Sequence, residues 1–160
     1  MQNNFKNIEF LKQITTHDYG SFLKLPPMIP FSEEITDYLN ALSKEINKDP
    51  RIQKFPDVRT FSFFCRKANL LLLKKKYYDS SITKLGRGLV FHIAPSNVPV
   101  NFAFSLMVSL LSGNSNIVRV PSKKFEQTEI IVNAINKLAQ VSQYSNISNR
   151  IILVSYDRNS

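Results

Sequence analysis

Asn97 stands between Pro95 and Pro99, just past the apolar run GLVFHIA at residues 88–94. A run of that length suits a buried strand, and ligands of open α/β sheets collect beyond the carboxyl ends of their strands, where residues 94–99 should lie. A side-chain amide at that place can meet a substrate. It can equally cap the helix that follows or hold the turn.

The other chemically capable residues are few. His92 lies inside the same run and reads as a hydrogen-bonded structural histidine rather than a base. Cys65 is the single cysteine and reads as a small core residue rather than a nucleophile. With one cysteine there can be no internal disulfide, and no Cys-x-x-Cys or His/Cys cluster offers a zinc site, so no metal is expected. The chain has neither a G-x-G-x-x-G fingerprint nor a G-x-x-x-x-G-K-[ST] loop, so the usual glycine-rich phosphate cradles are missing.

The elements that must position Asn97 follow from the apolar periodicity. Residues 1–30 end in LPPMIP, whose prolines disfavour a helix, and read as an arm or linker. A helix starts after Ser32, a good N-cap, with Glu33 and Glu34 in its first turn; Ile35, Tyr38, Leu39, Leu42 and Ile46 make one stripe. Residues 58–78 form a further helix with Phe61, Phe64, Ala68, Leu71 and Leu72 inward. Then come a strand at 88–94, a helix at 99–112 with Pro99 in its first turn and Gly113 as its left-handed stop, a strand at 116–120, a helix at 124–140 and a strand at 150–155. Strand and helix alternating at this spacing predict a Rossmann-like parallel βαβαβ sheet over 86–156, preceded by a helical part over 31–80. Residues 157–160 follow the last strand with no helix to cover it. The sheet therefore reads as unfinished, and the chain as a fragment or a truncated frame.

Composition bounds the function classes. Lysine and arginine number 21 against 12 acids, a net charge of +9, spread along the chain apart from Lys74, Lys75 and Lys76. Such charge attracts nucleotides, coenzyme A, anionic membranes or nucleic acid. Nucleic acid is disfavoured, because the lysines interleave with stacking aromatics only at Lys76-Tyr77-Tyr78. No apolar run approaches the roughly 20 residues that span a bilayer, and residues 1–4 carry no export signature, so a soluble, cytoplasmic protein is expected.

Taken together, Pro95-Ser96-Asn97-Val98-Pro99, Ser112-Gly113-Asn114 and Pro121-Ser122 resemble the turn, helix stop and strand end of aldehyde dehydrogenases. The wording GRGLVFHIAPSNVPVNFAFSL and SLLSGNSNIVRVPS is closer still to the LuxC-type acyl-CoA reductases, as are FSFFCRKANL and IILVSYDRN, so the resemblance runs from about Pro26 onward. It implies the aldehyde-dehydrogenase-like fold and NADPH-dependent reduction of fatty acyl-CoA to fatty aldehyde through an acyl-cysteine thioester, the activity that supplies aldehyde for bacterial bioluminescence. The acyl donor is then acyl-CoA or an acyl-protein, with an acyl-protein synthetase and further copies of the chain as partners. By the same resemblance Asn97 contributes to an oxyanion hole, and Ile93, Ala94, Pro95, Ser96, Val120, Pro121 and Ser122 line the NADPH site. Val120 departs from the lysine that many aldehyde dehydrogenases carry there, and Arg119 points to the opposite face. Lys123 and Lys124 read as solvated, with a ribose or 2′-phosphate contact as the alternative. The family's nucleophilic cysteine lies downstream of this segment and Cys65 does not match it, so the chain alone is expected to be inactive. The rival reading is a nucleotide-binding or interaction module without chemistry.

Overall fold

In the computed structural model, which describes residues 8–12 and 19–156, three parallel strands and one antiparallel strand form a single sheet. In chain order the strands are β1 (Glu9–Lys12), β2 (Leu89–Ile93), β3 (Ser115–Arg119) and β4 (Ile151–Ser155), and across the sheet they run β1-β4-β3-β2. The helices are α1 (Tyr19–Leu23), α2 (Glu33–Ile46), α3 (Pro56–Phe64), α4 (Lys67–Tyr77), α5 (Asn101–Leu111), α6 (Glu126–Ala139) and α7 (Ser145–Ser148). The expected parallel unit is therefore present as β2-α5-β3-α6-β4, and the fold class is α/β.

The core sits on one face of this sheet. The stripe of α2 is buried throughout, Ile35, Tyr38, Leu39, Leu42 and Ile46 packing with Phe102, Leu106 and Leu110 of α5 and Ile131 and Ile135 of α6. Each such side chain contributes about 1.5–3 kcal/mol by leaving water, so this layer is the main source of stability. Ser32 occupies the N-cap of α2, but its hydroxyl makes no capping bond. The start of that helix is instead favoured by Glu33 and Glu34 against the macrodipole. On the other face Phe22 of α1 packs on Ile152 and Val154, with Phe10, Leu25 and Ile117 beside them.

Several boundaries differ from the sequence reading. Residues 58–78 form two helices, not one, because Arg66 adopts extended dihedrals (φ −66, ψ 139). The break is held by Asn40 Oδ1, which accepts from the Lys67 amide at 3.0 Å, and by Asn69 Nδ2, which donates to the Phe64 carbonyl at 2.9 Å. It rotates the inward face: Phe61 and Cys65 are buried, then Leu70 and in part Leu73, while Phe64, Ala68, Leu71 and Leu72 are exposed. Periodicity extrapolated across the break selected the wrong leucines. The helices α5 and α6 begin at Asn101 and Glu126, each two residues later than expected. Pro99 belongs to the preceding turn, and Phe125 is extended (φ −124, ψ 135).

The strand at the edge is also less buried than a parallel strand should be. Leu89, Phe91 and Ile93 are 39%, 51% and 68% exposed, while His92 faces inward. Conversely, Glu9–Lys12 from the expected arm is a strand, pairing antiparallel with β4 through Glu9↔Ser155 and Phe10↔Val154. The reading of residues 157–160 lies outside the described residues.

Candidate functional site

Parallel pairing of β2 with β3 runs from Leu89↔Ser115 to Ile93↔Arg119, so the two strands end level. The turn at 94–97 and the loop at 120–124 are thereby set side by side at the carboxyl edge of the sheet. A second tie holds them: Thr128 Oγ1, in the first turn of α6, donates to the Pro99 carbonyl at 3.0 Å. Val120 continues the ladder by donating its amide to the Val154 carbonyl at 2.8 Å.

Within this edge the side chains divide sharply by exposure. Pro95, Ser96 and Asn97 are exposed and Ala94 is half-buried, whereas Val120 and Pro121 are buried and Ser122, Lys123 and Lys124 are exposed. The Asn97 amide makes no protein hydrogen bond among the described residues, and α5 has no side-chain cap, its N-cap position being Val100. Capping of α5 is therefore not what holds Asn97 at this position.

A groove of about 540 Å³ opens beyond β3, lined by Pro121, Ser122, Lys123 and Lys124, by residues of α6, and by Glu9 and Leu11 of β1 with Ser155 of β4. Its acids include Glu129, which pairs with Arg51 Nη1 at 3.3 Å, and Glu126, which is solvated. The residues at 93–97 do not line this groove. The structure thus gathers Pro121 and Ser122 with Lys123 and Lys124, and places Ile93, Ala94, Pro95, Ser96 and Asn97 one strand away.

The family model described as acyl-CoA reductase (LuxC) matches residues 22–160. The chain belongs to the LuxC acyl-CoA reductase family. No match was found among curated proteins or among solved structures. Membership makes the chain part of an oxidoreductase family that acts on acyl-CoA, and the remaining chemical residues of this LuxC-family chain can be sorted accordingly.

His92 is structural. Asn116 Nδ2 donates to the Asn114 carbonyl at 3.0 Å, which leaves its Oδ1 to accept from His92 Nε2 at 3.0 Å; Nδ1 then accepts from the Ser105 hydroxyl at 2.7 Å. That network places a proton on Nε2 and satisfies both ring nitrogens. Cys65 is fully buried, and burial pushes its thiol well above the usual range, the reverse of what a nucleophile needs. Arg119 turns away from the groove: it stacks 4.6 Å over the Tyr156 ring and donates Nη2 to the Tyr156 carbonyl at 3.1 Å.

Sequence reasoning did not find Thr128, Ser105 or Asn116, because a hydroxyl or amide partner from another element leaves no local signature. Among the described residues no group of three or more His, Cys, Asp or Glu is disposed to hold a metal, and no helix is long and apolar enough to cross a membrane.

Proposed function

We propose that this chain forms the cofactor side of a reductase of aldehyde-dehydrogenase-like fold. It takes a fatty acyl group from coenzyme A or a protein thioester to the fatty aldehyde, with residues 31–160 as the nucleotide-binding part. The observation that carries this reading is the level ending of β2 and β3 at Ile93↔Arg119, which juxtaposes the Asn97 turn and the Ser122 loop. The donor set fits a dinucleotide: the Ser96 and Ser122 hydroxyls and the Lys123 and Lys124 ammonium groups are solvent-facing and suit ribose and phosphate oxygens. NADPH, when bound, supplies the hydride that turns the acyl thioester into the aldehyde.

The chain's own residues then have distinct tasks. The backbone at Ile93, Ala94, Pro95 and Ser96, with Val120, Pro121 and Ser122, holds the cofactor; Val120 contributes main chain only, since its side chain is buried. Asn97 Nδ2 donates to the oxygen of the acyl carbon as negative charge develops there, a contribution of about 3 kcal/mol to the barrier. The thiolate that carries the acyl group is not Cys65, whose burial withholds it from substrate. These 160 residues by themselves are therefore expected to bind cofactor without turnover.

Calorimetric titration with NADPH tests the reading. Saturable binding is expected for the wild type and equally for Asn97→Ala. For Ser122→Glu, which places bulk and negative charge in the loop, affinity should fall about tenfold or more, about 1.4 kcal/mol. In an active reductase containing this segment, Asn97→Ala should lower kcat about 100-fold and leave the KM for NADPH unchanged. A folded wild-type chain that does not bind NADPH would remove the proposal.

A further inference from the structure

A separate cleft lies at the opposite end of the sheet, where the chain enters β2. It measures about 580 Å³, within the range of small-molecule sites. Buried Met107 and Leu111 of α5 form its inner part, Phe31 and Leu73 its walls, and exposed Tyr77, Leu85 and Val108 its outer part. Among the described residues, the only charged side chains lining it are Lys84 and Arg87, and no carboxylate lines it. Neither head group makes a hydrogen bond or ion pair among the described residues, and Lys84 shares only a longer-range field with Asp79.

Phe31 supplies an independent observation. Its φ is +54, the one positive value outside glycine among the described residues. The strained conformation is over-determined by the Phe31 amide donating to the Leu111 carbonyl at 2.8 Å and by Lys74 Nζ donating to the Phe31 carbonyl at 3.1 Å. Strained backbone persists only where its surroundings hold it, and such positions gather at ligand clamps. Here the strain aims an aromatic ring at the cleft wall, beside Tyr78 in an edge contact with centroids 6.4 Å apart.

We propose that this cleft binds a monomeric alkyl anion: a single apolar chain along Met107, Val108 and Leu111, with its anionic head between Lys84 and Arg87. The ligand class follows from the lining, since apolar walls reward an alkyl chain and two unneutralised cations with no facing acid reward one negative head. The site lies at the amino end of β2 and is separate from the cofactor edge, so the inference does not rest on the proposed reductase reading.

Laurate, below its micellar concentration, is the probe. Calorimetry should show saturable one-to-one binding, weaker by about tenfold or more for Arg87→Glu and for Val108→Glu. Both changed side chains are solvent-exposed, so folding is retained and can be verified by thermal melting. Decanol should bind about tenfold more weakly than laurate, and NADPH titrations of both variants should match the wild type. No laurate binding by the folded chain, variants that bind as tightly as wild type, or decanol equal to laurate would each overturn the site. A lipid surface as the true source is separated by flotation: a chain that floats with phosphatidylglycerol vesicles in an Arg87-dependent manner, yet ignores monomeric laurate, also overturns it.

Discussion

Burial holds the two most deeply placed weak acids, Cys65 and Tyr38, in their neutral forms, and the effect on stability has a definite sign. Desolvation by burial raises both groups well above their ordinary values. In the unfolded chain they ionise at about 8.5 and about 10. Above those values the unfolded state has released protons that the native state keeps, so stability is full below them and is lost as pH rises. The slope is about 1.4 kcal/mol per pH unit for each group. Comparing urea unfolding of wild type with Cys65→Ala from pH 7 to 10 isolates the cysteine. The stability advantage of the wild type should be constant at neutral pH and shrink above about pH 8.5; a pH-independent difference would contradict the buried neutral thiol.

Where elements meet, glycine decides whether β2 can be entered. The Gly86 amide donates to the Met28 carbonyl at 3.0 Å and the Met28 amide to the Gly113 carbonyl at 2.9 Å, so three chain segments touch through bare backbone. A Cβ on Gly86 would collide with the Gly113 carbonyl, and one on Gly113, whose φ is +83, with that of Met28. Asn114 completes the clasp, its Oδ1 accepting from the Arg87 amide at 2.7 Å. Gly86→Ala and Gly113→Ala should each destabilise by about 2–3 kcal/mol or more. Gly88→Ala should lose only about 1–2 kcal/mol, because its positive φ of +99 is unfavourable for alanine but its surroundings are open. Denaturant midpoints rank the three, and equal losses would refute the close-approach argument.

At the scale of the whole molecule, the parallel strands advance in one direction, β2 to β3 to β4, and α5 and α6 pack in one core on one face. The other face is covered near β4 by Phe22 but open at β2, where Leu89, Phe91 and Ile93 stand on an unpaired edge among the described residues. An exposed apolar edge strand is a template for association. The double variant Phe91→Lys with Ile93→Thr should keep its unfolding free energy within about 0.5 kcal/mol for each exposed site. It should also scatter less light at high concentration. Unchanged scattering would show that this edge is not where copies meet.

Local chemistry was enough to read much of this chain. The α2 stripe, the Gly113 stop and the β2-α5-β3-α6-β4 order depend on neighbours three or four residues apart or on the alternation of apolar runs, and they stand as read. The Pro95-to-Pro99 turn and the Pro121-Ser122 strand end carried the family resemblance for the same reason: short motifs survive in the sequence intact. What tertiary structure decided were the partnerships between distant segments. Glu9–Lys12 became a strand because β4 offered an edge, and Arg66 broke a helix because Asn40 of another helix took the next amide. The His92 network and the cleft at the start of β2 are likewise assembled from several elements. No residue in them is unusual for its own segment, and only packing, which sums contacts across the chain, brings them together.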